Sequence, residues 1–97
     1  MIQSFKGAGA EDVFNGRDTR IAGATCPSSL WSVAARKLEQ LDSADELRDL
    51  RNPPGNRFEV LRGNRAGQHS VRINDQYRIC FVWSDSGPQD VEIVDYH

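Results

Sequence analysis

The residue types best suited to acid–base chemistry in this chain are Asp95, Tyr96 and His97. A free imidazole titrates near pH ~6.5, so His97 can give or take a proton at neutral pH, while Tyr96 offers a phenol that donates or accepts a hydrogen bond. The trio ends an alternating run, residues 90–96, that predicts a β-strand delivering it to a sheet edge. The alternative is a solvated histidine at a frayed terminus, because chain ends are often poorly ordered.

A second chemical feature is a segment rich in arginine. Residues 48–78 hold seven arginines and three acidic residues, so this segment is basic in a chain whose net charge is −2. The planar guanidinium group matches the bidentate geometry of phosphate, which favours a nucleic-acid ligand. A solvated, ion-paired surface is the alternative. The arginines stand at positions 48, 51, 57, 62, 65, 72 and 78.

Strands must position these residues. Residues 67–74 and 77–83 both alternate, and the Asn-Asp-Gln sequence between them is typical of a tight turn, so the two segments predict an antiparallel meander. A further short strand is expected within residues 57–65, followed by a basic loop that contains glycine. Residues 1–5 predict a first strand.

Strand parity divides the sheet into two faces. If Ile79 and Phe81 face the helices, Arg78 points the other way. Glu92, Tyr96 and Arg62 are expected to join Arg78, giving one uncovered, concave face that also collects His97. The same parity directs His69 toward the helices as a partly buried residue.

Helices are predicted to cover the opposite face. Residues 11–14 predict a short helix, and Ser28-Ser29 can cap a longer helix that runs to Asp42. Its apolar stripe is Leu30, Ala34, Leu38 and Leu41, and its outer residues are Arg36, Lys37, Glu39 and Gln40. Ser43 and Glu46 have the spacing of a capping box that opens a last short turn. Trp31 is interpreted as a packing residue.

Composition sets independent limits on the fold and its ligands. Ninety-seven residues predict a single domain spanning positions 1–97, and 38% hydrophobic with 27% charged residues is ordinary for a globular protein. No apolar run approaches the ~18 residues of a membrane span. Cys26 and Cys80 lack metal-ligand spacing, so we expect both to be free thiols in a protein of the reducing cytoplasm. We expect neither a metal ion nor a cofactor.

One family combines these motifs. Residues 56–97 contain R-F-E-V-L-R-G-N-R-A-G-Q-H-S-V-R-I-N-D-Q-Y-R-I-C-F-V-W and the final D-V-E-I-V-D-Y-H, and the chain opens with M-I-Q-S-F-K. This combination resembles the HigB, or plasmid maintenance system killer, branch of the RelE/ParE toxin superfamily. The resemblance implies a small α+β domain, with an N-terminal strand and two to three helices packed on one face of a mostly antiparallel twisted sheet.

The resemblance also implies a function and a set of site residues. The function is that of a type II toxin, a ribosome-dependent endonuclease that cuts mRNA in the ribosomal A site. The implied catalytic residues are Arg62, Arg78, Asp95, Tyr96 and His97. The implied RNA contacts are Arg57, Arg65 and Arg72, with Asn74 and Gln76 as candidates for reading the codon. Some family members carry histidine and lysine where this chain has Glu59 and Arg62.

The implied chemistry is metal-free attack by the substrate's own 2′-hydroxyl on the phosphodiester. This reaction needs a base, an acid for the leaving 5′-oxygen, and cations beside the phosphoryl oxygens. His97 is expected as the acid, with Tyr96 positioning the nucleotide and Asp95 holding His97 or an arginine. The base stays open, because strand parity puts Glu59 opposite Arg62; positioning of the RNA for in-line attack is the alternative.

Several partners are implied by the same resemblance. They are the ribosome, mRNA and a cognate HigA-like antitoxin with a helix-turn-helix, which would link the toxin to DNA only indirectly; no membrane partner is expected. A rival reading is a ParE-like toxin that inhibits gyrase by binding, without catalysis. A third is an RNA-binding module without turnover, which would expose aromatic residues on the sheet face.

Overall fold

The computed structural model describes residues 1–96, which form an α+β fold. Three α-helices precede a four-stranded sheet along the chain. The helices are α1 (Ala8–Phe14), α2 (Arg20–Thr25) and α3 (Trp31–Ser43), and the strands are β1 (Glu59–Val60), β2 (His69–Arg72), β3 (Tyr77–Ser84) and β4 (Gly87–Asp95). Short 3-10 turns at Ser28–Leu30, Leu47–Arg51, Pro54–Asn56 and Gly63–Arg65 connect these elements.

The sheet is an antiparallel meander in the order β1-β2-β3-β4. Residues 1–6, here called the N-terminal segment, lie parallel to β4 through one bridge between Phe5 and Val91. Lys6 N–H donates to the Val91 carbonyl at 2.9 Å, and Val91 N–H donates to the Ser4 carbonyl at 3.1 Å. The predicted first strand is therefore an extended segment with a single bridge, and it supplies the one parallel pairing described within residues 1–96.

The core lies between the helices and one face of the sheet. Ala34, Leu38 and Leu41 of α3 are fully buried, which confirms most of the predicted apolar stripe. They pack in one cluster with Val71, Ile79, Phe81, Val91 and Ile93 from the sheet. These strand residues alternate with residues of the other face, as a half-covered sheet requires. Trp31 packs against this cluster, and its indole N–H donates to the Cys26 carbonyl at 3.0 Å.

The first half of the chain contains one helix that the sequence did not predict. Thr19 begins α2 as its N-cap, because its hydroxyl accepts a hydrogen bond from the Ala22 N–H at 3.1 Å. The helix packs so tightly against α1 that a Cβ on Gly9 would lie 1.7 Å from the Thr25 hydroxyl oxygen. Gly9 therefore permits the close approach of the two helices.

Two local predictions, one within α3 and one for the turn that follows it, were wrong. The capping box is formed by Glu46 and Asp49, whereas the Ser43 hydroxyl donates back to the Glu39 carbonyl at 3.0 Å. Lys37, expected on the outer side of the helix, is buried and donates to the side-chain oxygen of Asn56. The reason is that residues 47–57 fold back over this side of α3, a contact that helical periodicity does not encode.

Candidate functional site

The face of the sheet turned away from the helices carries the charged residues. Cross-strand register aligns Glu59 with Ser70, Ser70 with Cys80, and Cys80 with Glu92. Directly opposed residues share a face, so these four and Arg78, two residues before Cys80, form one surface. We call it the charged face.

Arg78 lies at the centre of the charged face and is almost fully buried, with 8% of its surface exposed. Its Nε donates to the Ser70 hydroxyl at 2.7 Å, and its Nη2 donates to the Arg57 carbonyl at 2.6 Å. Arg57 is held in the left-handed region, with φ of 43°, which turns this carbonyl toward the guanidinium. The arginine predicted on an uncovered face is therefore also a structural contact between β3 and the segment before β1.

Glu59 and Tyr96 flank the same guanidinium. The Oε1 atom of Glu59 lies 3.9 Å from Nη2 of Arg78, and the Arg78 Cζ atom lies 5.8 Å from the centroid of the Tyr96 ring. A cation over an aromatic face at this distance is an attractive cation–π contact. A carboxylate, a guanidinium and a phenol therefore meet at one place on the charged face.

The position of Glu59 corrects an expectation from strand parity. Strand parity places Glu59 on the face opposite Arg62, which predicts that Glu59 lies away from the catalytic residues. The strand β1 ends at Val60, however, so the alternation does not extend to position 62. Arg62 lies beyond the strand as the residue before the Gly63–Arg65 turn, and it is exposed to solvent. The contact described for it is a main-chain bond, in which the Arg65 N–H donates to its carbonyl at 3.2 Å.

The turn between β2 and β3 is bonded to the end of β4. The Gln76 side chain donates to Asp95 at 3.1 Å, and the Gln76 carbonyl accepts from the Tyr96 N–H at 2.6 Å. The side-chain oxygen of Asn74 accepts from the N–H groups of Gln76 and Tyr77, so it shapes the turn. This arrangement holds Tyr96 beside Arg78. His97, the predicted acid, lies outside the described residues.

The remaining predicted RNA contacts occupy different surroundings. Arg65 donates to the Gln68 side chain at 3.1 Å and lies 3.6 Å from Glu92, so it is on the charged face. Arg72 is paired with the exposed Asp75 next to the turn. Arg57 is exposed, and its carbonyl is the group that Arg78 binds.

One further titratable residue, Cys80, lies in the sheet beneath these groups. Burial raises the pKa of the Cys80 thiol, and Arg65, Glu92, Arg78 and Glu59 also act on it electrostatically, so these four charges surround it. Cys26 and Cys80 are both buried and free, which confirms the predicted thiols. Among residues 1–96, no group of three or more His, Cys, Asp or Glu side chains could hold a metal ion.

His69 lies on the helical face, as predicted. Its ring stacks on Phe58 with centroids 5.5 Å apart and is tilted against Phe81 at 5.9 Å. Its Nδ1 atom is buried without a hydrogen-bond partner among the described residues, and burial lowers the pKa of the imidazole. The chemistry of the charged face therefore does not include His69.

The sequence matches the model of one known protein family over almost its whole length. Residues 3–97 match the family model described as the RelE-like toxin of the type II toxin-antitoxin system HigB. The chain is a member of this HigB-like toxin family. The match covers almost the whole sequence and confirms the resemblance that the motifs indicated.

Two curated proteins are similar to this HigB-like chain over part of its length. Toxin HigB-1 of Vibrio cholerae serotype O1 is 56% identical over 59 residues, which cover 61% of this chain and 62% of the relative. An uncharacterized protein of Haemophilus influenzae is 37% identical over 60 residues, 62% of this chain and 59% of the relative. The chain therefore spans about three-fifths of the length of the curated relatives it matches.

A solved structure shares the fold of this HigB-like chain. The YoeB-YefM complex from Staphylococcus aureus contains a chain that superposes with a TM-score of 0.59, covering 100% of this chain and 98% of that one. The sequence identity is 15%, so the likeness concerns the fold.

None of the helices within residues 1–96 has the length and apolar character needed to cross a membrane.

Proposed function

We propose that this chain is the toxin of a type II toxin-antitoxin system and that it cleaves mRNA in the A site of the ribosome. The observation that carries the proposal is the meeting of Glu59, Arg78 and Tyr96 on the charged face. Cleavage by the RNA's own 2′-hydroxyl needs a proton acceptor, a proton donor and a cation beside the phosphoryl oxygens. A carboxylate and a guanidinium provide the first and the last of these.

The base that the sequence left open is, in this proposal, Glu59. Its side chain is 51% exposed, so a substrate hydroxyl can approach the carboxylate while Arg78 stays behind it. Arg78 and Arg62 are permanently protonated and cannot accept a proton, so they neutralise the charge that develops on the phosphoryl oxygens.

The remaining roles fall to the residues at the end of β4. Tyr96 orients the scissile nucleotide, and its ring offers a surface on which a base can stack. His97 donates the proton to the leaving 5′-oxygen, and Asp95 holds His97 or an arginine in place. Family membership supports this assignment, because the match to the family model extends through residues 95–97.

The RNA is proposed to run along the cationic side of the sheet. Arg57, Arg65 and Arg72 bind its phosphates, because guanidinium groups bind phosphate with two parallel hydrogen bonds. Asn74 and Gln76 approach the codon from the turn. The Gln76 side chain donates a hydrogen bond to Asp95, so a base that binds Gln76 would alter this bond at the end of β4.

The proposed partner is a cognate HigA-like antitoxin with a helix-turn-helix, through which alone the toxin contacts DNA. The fold neighbour from Staphylococcus aureus is a complex of two named proteins, which supports a protein partner for this chain as well. The proposed location is the cytoplasm, where ribosomes and mRNA are present.

The test is an mRNA cleavage assay with and without translating ribosomes. The unaltered protein should cut mRNA when ribosomes are translating it and leave free mRNA intact. Glu59→Gln and His97→Gln should each lower the single-turnover rate by about 10²- to 10⁴-fold, the usual cost of removing an acid or base. Arg48→Ala is the matched control, since Arg48 is an exposed arginine that pairs with Glu46 away from the charged face.

Two results would count against the proposal, the first against the role of Glu59 and the second against the nuclease activity itself. Full cleavage by Glu59→Gln would remove the carboxylate from the chemistry and leave positioning of the RNA as the main contribution. Absence of cleavage by the unaltered protein, together with inhibition of purified gyrase, would establish the ParE-like alternative.

A further inference from the structure

Glu92, on the charged face, forms ion pairs with two cations, Lys6 and Arg65. The proposed cleavage gives these two cations no joint role. The Oε2 atom of Glu92 lies 3.5 Å from the Lys6 ammonium and 3.6 Å from Nη1 of Arg65. The three residues come from the N-terminal segment, the 3-10 turn after β1, and β4. Their meeting extends the charged face across β4 to the edge of the sheet.

The backbone explains why Lys6 reaches this face. The N-terminal segment is bridged to β4 at Phe5 and Val91, and side chains alternate in extended chains. The Phe5 ring contacts Phe14 of α1, with centroids 5.8 Å apart, so Phe5 faces the helices. Lys6, the next residue, therefore faces the opposite side, beside Glu92.

The charges at this point do not balance. Two cations share one carboxylate, which leaves a local excess of one positive charge. The Lys6 side chain is 65% exposed, whereas that of Glu92 is 19% exposed. An ion pair with such an exposed partner contributes about 0–1 kcal/mol, so little opposes the exchange of Glu92 for another anion.

The location is next to the proposed site of cleavage. Glu92 pairs with Cys80 across the strands, and Arg78 is two residues before Cys80 on the same face. Two residues along a strand span about 7 Å. An extended RNA strand bound at Arg78 therefore passes Lys6 and Arg65 if it runs along β3 and β4 toward the basic turn.

We propose that Lys6 and Arg65 form a second phosphate subsite for mRNA, next to the phosphate that is cleaved, and that Glu92 occupies it until RNA binds. The inference rests on the proposed function, since it assigns a further backbone contact to the same substrate. Glu92 acts as a competing anion, so its negative charge lowers the affinity for RNA while keeping the two cations in position.

The experiment measures the affinity for a short single-stranded RNA in which every 2′-hydroxyl is methylated, so that no cleavage occurs. Affinity is determined over a range of salt concentrations. Each phosphate contact on a single strand contributes about 0.7 to the slope of log K against log salt, so Lys6→Gln should reduce the slope by about this amount. Arg65→Gln should have a similar effect.

Glu92→Gln should change affinity in the other direction. Loss of the competing charge should tighten RNA binding by about two- to fivefold, the scale of an exposed ion pair. Arg48→Gln and Glu46→Gln are the matched controls, because this ion pair belongs to the Leu47–Arg51 turn, away from the sheet. Neither control should change the slope or the affinity.

The outcomes separate this inference from the proposed function. Equal slopes for Lys6→Gln and Arg48→Gln, with ribosome-dependent cleavage intact, would overturn the subsite and leave the cleavage proposal standing. If the unaltered protein failed to bind the methylated RNA and failed to cleave on ribosomes, both would fall. If Lys6→Gln weakened binding to empty ribosomes but not to the RNA, the phosphate would belong to ribosomal RNA, and the mRNA assignment would be wrong.

Discussion

Arg78 combines a chemical position with a structural one. Strand parity predicts only that its side chain leaves the helical face, which suggests a freely exposed cation. The structure adds two short hydrogen bonds, to the Ser70 hydroxyl and the Arg57 carbonyl, and nearly complete burial. Replacing Arg78 therefore affects stability as well as chemistry, so a loss of activity in such a variant is interpreted together with a measurement of its stability.

We expect Arg78→Ala to lower the free energy of unfolding by about 3–5 kcal/mol, because it removes two hydrogen bonds from a charged group, each of which contributes about 1.5–3 kcal/mol. Urea denaturation provides the measurement. Arg62→Ala is the matched control: this arginine is exposed, and its removal should change stability by less than about 0.5 kcal/mol. An equally small effect at position 78 would contradict the structural role.

The sequence indicated most of the site's residue types but not how they meet. Arg78 and Tyr96 were expected on one face because strand alternation is a local property. Glu59 was assigned away from Arg62 because its strand was assumed to continue, whereas β1 contains two residues. The approach of Lys6 to Glu92 depends on a bridge between distant parts of the chain, and no local pattern contains that information.

One buried side-chain amide, that of Asn56, joins the 3-10 turns to α3. Asn56 is 1% exposed; it accepts from Lys37 and donates to the carbonyls of Leu50 and Asn52, each at 3.2 Å. Removing it would leave a buried ammonium group without this acceptor and two carbonyls without these donors. Such groups are costly to bury unpaired.

We therefore predict that Asn56→Ala lowers the free energy of unfolding by about 2–4 kcal/mol. Thermal or urea denaturation would detect the change. Asn64→Ala is the control, since Asn64 is an exposed asparagine in another 3-10 turn. If both variants were equally stable, the amide would not be what holds residues 47–57 against the helix.

The strand β2 carries a pH-dependent contribution to stability through His69. Burial lowers its pKa in the folded protein, so below the ordinary value of ~6.5 the unfolded chain binds a proton more readily than the folded one. The stabilisation associated with neutral His69 is present above pH ~6.5 and is lost progressively as the pH falls toward the lower, folded-state pKa.

Replacing His69 by phenylalanine removes the titratable imidazole. We expect the unfolding free energy of the unaltered protein, minus that of His69→Phe, to decrease as the pH falls below ~6.5. Urea denaturation of both proteins at a series of pH values measures this difference. A difference independent of pH would show that folding does not perturb the imidazole.

The fold class could be predicted from strand alternation and helical periodicity. Apolar alternation in residues 77–83 and 90–96 identified the two longest strands, and the stripe of Leu38 and Leu41 identified α3. The helix α2 was missed because it is six residues long and buries only Ala22, too little for a periodic stripe. Its presence depends on packing against α1.

The N-terminal segment shares fewer main-chain hydrogen bonds with β4 than β3 does. The main-chain bonds described between it and β4 are three, from Gln3, Lys6 and Val91, whereas β3 and β4 pair along most of their length. Segments held by few bonds open locally at a lower free energy than the global unfolding of a domain. Such an opening would carry Lys6 away from Glu92 while the ladder beneath Arg78 and Tyr96 stayed closed. The affinity for RNA would then fluctuate within folded molecules, independently of the groups that carry out the cleavage.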